Sequence, residues 1–305
     1  MLDISTIREE FRAYGTPRKQ WRIGGEFERL LLLPDGEQVA YAPGGGISDL
    51  LGYLVSQHAW SPIFEGENVI ALIRADASTT LEPGGQVELS GRPHFTLEEL
   101  ADEAWESMRE LHGFTQQRGI TLAALGLSPY SKIEEIGWVP KGRYEVMKRY
   151  LPQQGEMAPV MMKATASFQA NFDYEDEADC GRKFNVLQQL APLHTALFAN
   201  SPLFEGQPTG WLSNRGRAWR KTDPRRTGFP PTLQQGYSHE DWIQYLLDVP
   251  TMFVKDGEHW CSSGETTFRE FMTDGFNGRY PTLEDFRLHQ TAVFPEVRVK
   301  STIEV

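Results

Sequence analysis

The chain is short of cysteine, short of positive charge and without long apolar runs, and each shortage excludes something. Only Cys180 and Cys261 occur among 305 residues. A disulfide framework is therefore not what organises the fold, and both residues read as thiols in a reducing compartment. The net charge of -12 excludes nucleic acid as a main partner, because a phosphate backbone needs a basic face. A nucleotide is still compatible, since a few arginines and a bound dication reverse the field locally. The nearest thing to an apolar run is Leu30–Leu33, far below membrane-spanning length. No cationic, apolar leader opens the chain. Together these point to a soluble, cytoplasmic protein with no membrane partner. HExxH and CxxC spacings are missing, which disfavours zinc. GxxxxGK[ST] is missing too, and Gly44–Gly46 has no lysine after it.

The patterning that is present alternates between helix and strand without regular βαβ order, which favours α+β with an antiparallel sheet. Ile4–Tyr14 reads as a helix capped by Ser5 and stopped at Gly15. Ser48–His58, Arg143–Tyr150, Glu177–Phe198, His239–Leu247 and Leu283–His289 read as further helices. The clearest helix begins at Leu97 and runs to about Gln117, behind a Thr96/Glu99 capping box. Arg22–Leu32, Val69–Ile73, Gly85–Ser90, Met161–Tyr174 and Val293–Val305 read as strands. Ser213–Pro231 is basic, rich in Pro and Gly, and reads as loop.

Residues two apart on a strand share a face. That puts Glu26 with Glu28, Gln86 with Glu88 and Ser90, and Glu296 with Arg298 and Lys300. Thr165, Ser167, Gln169, Asn171 and Asp173 form another polar stripe. Any one of these is compatible with the wet side of an ordinary amphipathic sheet. The first strand argues otherwise, because Leu30 and Leu32 continue the glutamate face and imply burial. Two buried carboxylates repel each other and are costly to desolvate, and a hard dication bound by oxygen offsets both terms. The pattern predicts Mg²⁺, with Mn²⁺ as a substitute, and Mg²⁺ of this kind accompanies phosphate chemistry. With no P-loop, the phosphate grip falls to arginines, which concentrate at Arg215, Arg217, Arg225 and Arg226, with Arg298 beside Glu296. His194, His289, Trp211, Trp219 and Trp242 are weaker candidates, more often packing residues than ligands.

Several stretches together resemble the glutamate–cysteine ligase family in its plant and proteobacterial branch. They are IGGEFER at 23–29, TLEPGGQVELSG at 80–91, RYEVMKRYLP at 143–152 and MMKATASFQANFDY at 161–174. LFANSPLFEG at 197–206, the SNRGRAW–TD–R–G series at 213–228 and HQTAVFPEVRVK at 289–300 complete the set. The resemblance implies a curved, mainly antiparallel sheet with the active site on its concave polar face, surrounded by helices. It implies Glu26, Glu28, Glu82, Glu88 and Glu296 as ligands of two or more Mg²⁺ ions, with Gln169 completing the set and also bordering the nucleotide. Arg298 would contact the transferred phosphoryl group, and Arg215 and Arg226 would bind phosphates or a substrate carboxylate. The implied activity is ATP-dependent joining of L-glutamate, through a γ-glutamyl phosphate, to the amine of L-cysteine. A loop from Arg215 to Gly228 would act as a lid. The alternatives are a different acceptor amine or a non-catalytic nucleotide-binding relative. The family continues beyond the last strand, so residues 1–305 are expected to be a single catalytic domain without that C-terminal region.

Overall fold

The computed structural model describes residues 2–233, 236–257 and 259–305. The first helix, α1 (Ile4–Ala13), is capped by Asp3, whose carboxylate accepts from the Thr6 amide at 2.9 Å. Ser5 instead lies inside the helix and donates to Asp3. The first strand, β1 (Ile23–Leu32), is the axis of the molecule. After α2 (Ile47–His58), an antiparallel meander follows: β2 (Ser61–Glu65), β3 (Asn68–Arg74), β4 (Ala77–Leu81) and β5 (Val87–Ser90). β2 and β4 were not legible as strands, because Ser-Pro and the Ser-Thr-Thr run give no apolar alternation. Next come α3 (Leu97–Thr115), with the expected Thr96/Glu99 capping box, and β6 (Thr121–Ala123).

The middle of the chain departs most from the sequence pattern. After α4 (Gly142–Tyr150), residues expected as one long strand split into α5 (Ala158–Ala164) and β7 (Phe168–Phe172). α5 is buried on nearly every side, so it carries no amphipathic period, and Pro159 sits in its first turn where proline is tolerated. α6 (Glu177–Leu197) is as expected, with Asp176 as its cap. A small hairpin, β8 (Leu203–Phe204) and β9 (Gln207–Pro208), precedes α7 (Asn214–Arg220). α7 replaces part of the expected loop because the Ser213 hydroxyl caps the Gly216 amide at 3.1 Å.

β10 (Thr227–Gly228), α8 (His239–Asp248), the hairpin β11 (Val254–Asp256) and β12 (His259–Cys261), α9 (Phe268–Asp274) and α10 (Leu283–Gln290) follow. The expected final strand is three pieces: β13 (Phe294–Pro295), β14 (Arg298–Val299) and β15 (Ile303–Glu304). β13 leaves the main sheet to pair in parallel with β10, and the chain then turns through Lys300–Thr302.

The main sheet has the order β14-β15-β7-β1-β5-β4-β3-β2, with β6 on the far end of β1, and all its pairings are antiparallel. This mixed helical and antiparallel architecture bears out the α+β expectation. One core lies between the sheet and α2, α3 and α4, around Leu31, Leu50, Leu54, Leu72, Leu89 and Phe114. A second gathers α1, α6, α8, α9 and α10 with β14 and β15, around Phe11, Phe184, Trp242, Phe268 and Ile303. The sheet is common to both.

The turn between β4 and β5 is wedged against α5. A Cβ on Gly84 would lie 2.0 Å from the Lys163 carbonyl oxygen, and neither backbone can yield cheaply. Gly84→Ala should destabilise the protein by about 1–3 kcal/mol or more, read as a lower urea midpoint. An unchanged midpoint would mean that this wedge is soft.

Candidate active site on the polar face of the sheet

Cross-strand register, rather than sequence proximity, assembles the carboxylates. Glu28 of β1 stands opposite Glu88 of β5, and Glu88 opposite Thr80 of β4. Glu26 stands between Gln169 of β7 and Ser90 of β5. Glu304 of β15 lies opposite Asn171 of β7. Glu82 joins from the β4–β5 turn, which is fixed by the Glu82 amide to Gln86 carbonyl bond of 2.9 Å. The Gln86 side chain, fully buried, ties that turn to the Thr165 carbonyl at 2.6 Å.

Glu28, Glu88 and Glu26 are each held by hydrogen bonds but not neutralised. Glu28 accepts from the Ser167 amide at 2.8 Å, the Ser167 hydroxyl at 3.0 Å and the Gln169 amide at 3.3 Å. Burial, and then the charge of Glu82, push its carboxyl up to about 8, with Arg215 pulling the other way. Glu88 accepts from the Thr80 hydroxyl, and burial, Glu82 and Glu28 hold it well above the usual carboxylate range. Glu26 accepts from Asn171 at 2.8 Å and is raised by burial and by Glu304. Glu304 is the exception. Burial works to raise it, but its ion pairs with Arg298 and with Lys300, the latter at 3.1 Å, outweigh burial and hold it low.

The cations border this row. Arg215, on the first turn of α7, is half-buried, with Glu28 and Glu296 as its charged neighbours. Burial lowers its affinity for the proton while the two carboxylates oppose that. Its Nε has no partner among the described residues, and its guanidinium lies 5.6 Å from the Trp219 ring centre. Arg298 donates to the Val293 carbonyl at 3.0 Å and pairs with Glu304.

Glu296 stands on the arginine side of the site. Burial raises it, while its charged neighbours Arg215 and Arg220 oppose that. Its amide is bonded to Gly228, a placement that follows from the departure of β13 from the sheet.

Arg226 is spent on the protein's own groups. It is wholly buried and pairs with Asp223 at 3.0 Å. It also donates to the Ala292 carbonyl at 3.0 Å, the Pro250 carbonyl and the Tyr150 hydroxyl. A guanidinium so committed is a structural tie between segments, not a phosphate grip. The same tie, with α7 and the β10–β13 pairing, argues against a free lid from Arg215 to Gly228. His289 is likewise internal. Its Nε2 bonds the Leu246 carbonyl at 2.8 Å, its ring stacks on Phe268, and burial lowers it to about 3. Trp242 is core, Trp219 packs against the first core, Trp211 is exposed and His194 is half-buried on α6. Cys180 is buried and Cys261 half-buried, both free thiols.

The sequence pattern missed Glu304, Lys141 and Arg143. Strand spacing from Glu296 through Lys300 pointed to Glu296 and passed over Glu304, because the turn at Lys300–Thr302 breaks that spacing. Lys141 donates to the Leu81 carbonyl at 2.8 Å, beside Glu82. Burial and then Arg143 lower it to about 8. Arg143 donates to the Tyr144 hydroxyl at 3.3 Å, and Glu82 and Glu88 face its guanidinium. Nothing in local spacing marks either residue.

An all-oxygen donor set at a buried, net-negative face fits a hard divalent cation. Among the described residues, no three acidic, histidine or cysteine side chains stand close enough to enclose an ion. The set therefore fits Mg²⁺ in its chemistry, and the side chains would have to draw together around it.

A family model described as Glutamate-cysteine ligase family 2 matches residues 22–305. Three similar curated proteins are named glutamate–cysteine ligase, chloroplastic. The Nicotiana tabacum protein is 37% identical over 94% of this chain and 56% of its own length. The Medicago truncatula protein is 37% identical over 97% and 59%, and the Arabidopsis thaliana protein 37% over 98% and 58%. The chain thus spans less than two thirds of the length of these relatives. A crystal structure of the Francisella tularensis glutamate–cysteine ligase with AMP covers 61% of this chain and 31% of that one. It matches at 15% identity and a TM-score of 0.31, too slight a likeness to carry an argument. The cytoplasmic location expected from the sequence is overturned, because these relatives are named as chloroplastic.

The raised carboxyls give a pH dependence of definite sign. A carboxyl whose folded pKa lies above its unfolded value contributes stability below the unfolded pKa and loses it as pH rises through the folded one. For Glu28 that window runs from 4.5 to about 8. Without divalent cations, the melting temperature should fall across it, and Glu28→Gln should flatten the fall. A wild-type curve that is level across this window would contradict the electrostatics above. Separately, Arg226→Met should cost about 3–5 kcal/mol by stranding Asp223, measured by chemical denaturation. A small loss of stability with a large rise in the KM for ATP would instead restore Arg226 to the site.

Proposed function

The chain belongs to glutamate–cysteine ligase family 2, and on that premise we propose that it joins the γ-carboxylate of L-glutamate to the amine of L-cysteine using ATP. This is the first step of glutathione synthesis, and residues 1–305 act in it as one catalytic domain. The observation that carries the reading is the half-buried to buried row of Glu28, Glu82 and Glu88, continued by Glu26 and Glu304, with arginines at its borders. Raised carboxyls in such a row are ionised at little cost only when a cation arrives with the substrate.

Glu28, Glu82 and Glu88 would hold one Mg²⁺, and Glu26, Glu304 and Gln169 a second. Bound there, Mg²⁺ supplies neutralisation of the phosphate oxygens and keeps the attacking and leaving oxygens in line. A γ-carboxylate oxygen of glutamate then attacks the γ-phosphorus, and the bond to the ADP oxygen breaks. The amine of cysteine attacks the resulting acyl phosphate, a proton leaves the nitrogen and inorganic phosphate departs. Arg215, with its uncommitted Nε, donates to an oxyanion above the sheet. Arg298, fixed by Val293 and Glu304, faces the transferred phosphoryl group. Arg143 steadies the Glu82 and Glu88 end through Tyr144 and Leu81. The Ser167 and Gln169 donors aim the Glu28 carboxylate.

The test is ADP release from the folded chain with Mg²⁺, ATP and glutamate, with and without cysteine. Stimulation by cysteine supports the reading, and stimulation only by another amine would move the acceptor. No ADP under either condition would sink it. Glu88→Gln should lower kcat by about 10²–10³-fold or more and weaken Mg²⁺ binding in calorimetry, with no loss of melting temperature. Full activity in that variant would remove Glu88 from the site.

A further inference from the structure

Main-chain bonds fix the turn on both sides of Glu82. The Glu82 amide bonds the Gln86 carbonyl and the Gly85 amide bonds the Glu82 carbonyl, both at 2.9 Å. The Gln86 side chain accepts from the Gly84 amide at 3.0 Å, and the Gln38 side chain donates to the Gly84 carbonyl at 2.7 Å. Pro83 has no amide hydrogen to place. The two carbonyls that flank Glu82 belong to Leu81 and Pro83, and one distant segment takes both. Val139 donates its amide to the Pro83 carbonyl at 2.9 Å. Lys141 and Tyr144 converge on the Leu81 carbonyl, the ammonium at 2.8 Å and the hydroxyl at 2.6 Å.

Both donors are deep in the protein, Lys141 exposed by 7% and Tyr144 by 2%. A buried ammonium ordinarily pairs with a carboxylate, and Glu82, Glu88 and Glu65 lie within electrostatic reach of this one. Among the described residues its bonds go instead to the Leu81 carbonyl and, at 3.5 Å, to the Tyr144 hydroxyl. Glu65 is occupied by the Gly142 amide at 2.7 Å, which ties the same segment to β2. Glu28 and Glu88 are gripped by hydroxyls, whereas the Glu82 carboxylate accepts no hydrogen bond among the described residues. Glu82 is therefore aimed through its backbone alone.

We propose that Lys141 and Tyr144 are the positioning residues of Glu82: by gripping the carbonyl before it, they hold its carboxylate at the row and leave that carboxylate open to a cation. The inference rests on the Mg²⁺ role given above to Glu28, Glu82 and Glu88. A ligand that no side chain orients keeps its place only as well as its backbone does, and groups behind a ligand tune the metal through it. Loss of either donor leaves the Leu81 carbonyl with a single bond and lets Glu82 drift from Glu28 and Glu88. The cost falls on the cation, because an empty row of like charges gains from the drift.

The test is Mn²⁺ binding by the intact chain, followed by electron paramagnetic resonance of the free ion and needing no turnover. Tyr144→Phe and Lys141→Met should each weaken the site that contains Glu82 by about 10–100-fold. The site at Glu26 and Glu304 should keep its wild-type affinity. Tyr41→Phe is the control, because it removes the same kind of bond, from a hydroxyl to the Val69 carbonyl at 2.8 Å, away from the turn. It should lower the melting temperature and leave Mn²⁺ affinity unchanged. Tyr144→Phe keeps its ring in the core, so it decides the matter even where Lys141→Met does not fold. No Mn²⁺ uptake by the wild type overturns the metal reading and the inference with it. Wild-type uptake with unchanged affinity in Tyr144→Phe overturns the inference alone, as does an equal loss of affinity in Tyr41→Phe.

Discussion

The constraint on which the rest depends is mutual repulsion among glutamates on a buried sheet face. Glu28 and Glu88 are paired across two strands, and Glu82 is driven toward them by a turn that cannot relax. Leucines below and helices around remove the water that would screen them. The fold accepts this cost because the surrounding framework over-determines the positions. Gln86 is locked to Thr165, Ser167 grips Glu28, and Thr80 grips Glu88. Rigid strands hold like charges together more firmly than loops would.

Two classes of arginine emerge from one basic stretch. Arg226 has its guanidinium consumed by Asp223, by the Tyr150 hydroxyl and by the Ala292 and Pro250 carbonyls, and it ties those distant segments together. Arg215, eleven residues earlier, is half-buried and keeps an uncommitted donor between Glu28 and Glu296. Composition cannot separate the two, because both are arginines near prolines and glycines. What separates them is whether backbone carbonyls or carboxylates surround the side chain.

The second core serves the site indirectly. α1, α8, α9 and α10 enclose β14 and β15, and that enclosure brings Glu304 opposite Asn171 and beside Arg298 and Lys300. The low carboxyl of Glu304, among raised neighbours, shows how much local counter-charge matters on a single face. α6 belongs to this core by one side and presents a second apolar side that the same core leaves uncovered.

The sequence by itself determined the helices with caps, the first strand and its paired glutamates, because hydrophobic period and capping chemistry are local properties. The Thr96/Glu99 box, the Glu26/Glu28 spacing and the Glu82–Glu88 turn were all legible without coordinates, and the family strings named the chemistry. Tertiary structure decided which acids meet. It brought Glu304 to the row, set Glu296 beside Arg215 and Arg220, committed Arg226 to Asp223 and added Lys141 and Arg143 near Glu82. The physical reason is that register, chain breaks and counter-ions are set by contacts between segments far apart in the chain. A two-residue strand that changes partner leaves no trace in its own period. Nor does the alternation of residues 161–174 reveal that its first half, buried all round, winds into a helix instead.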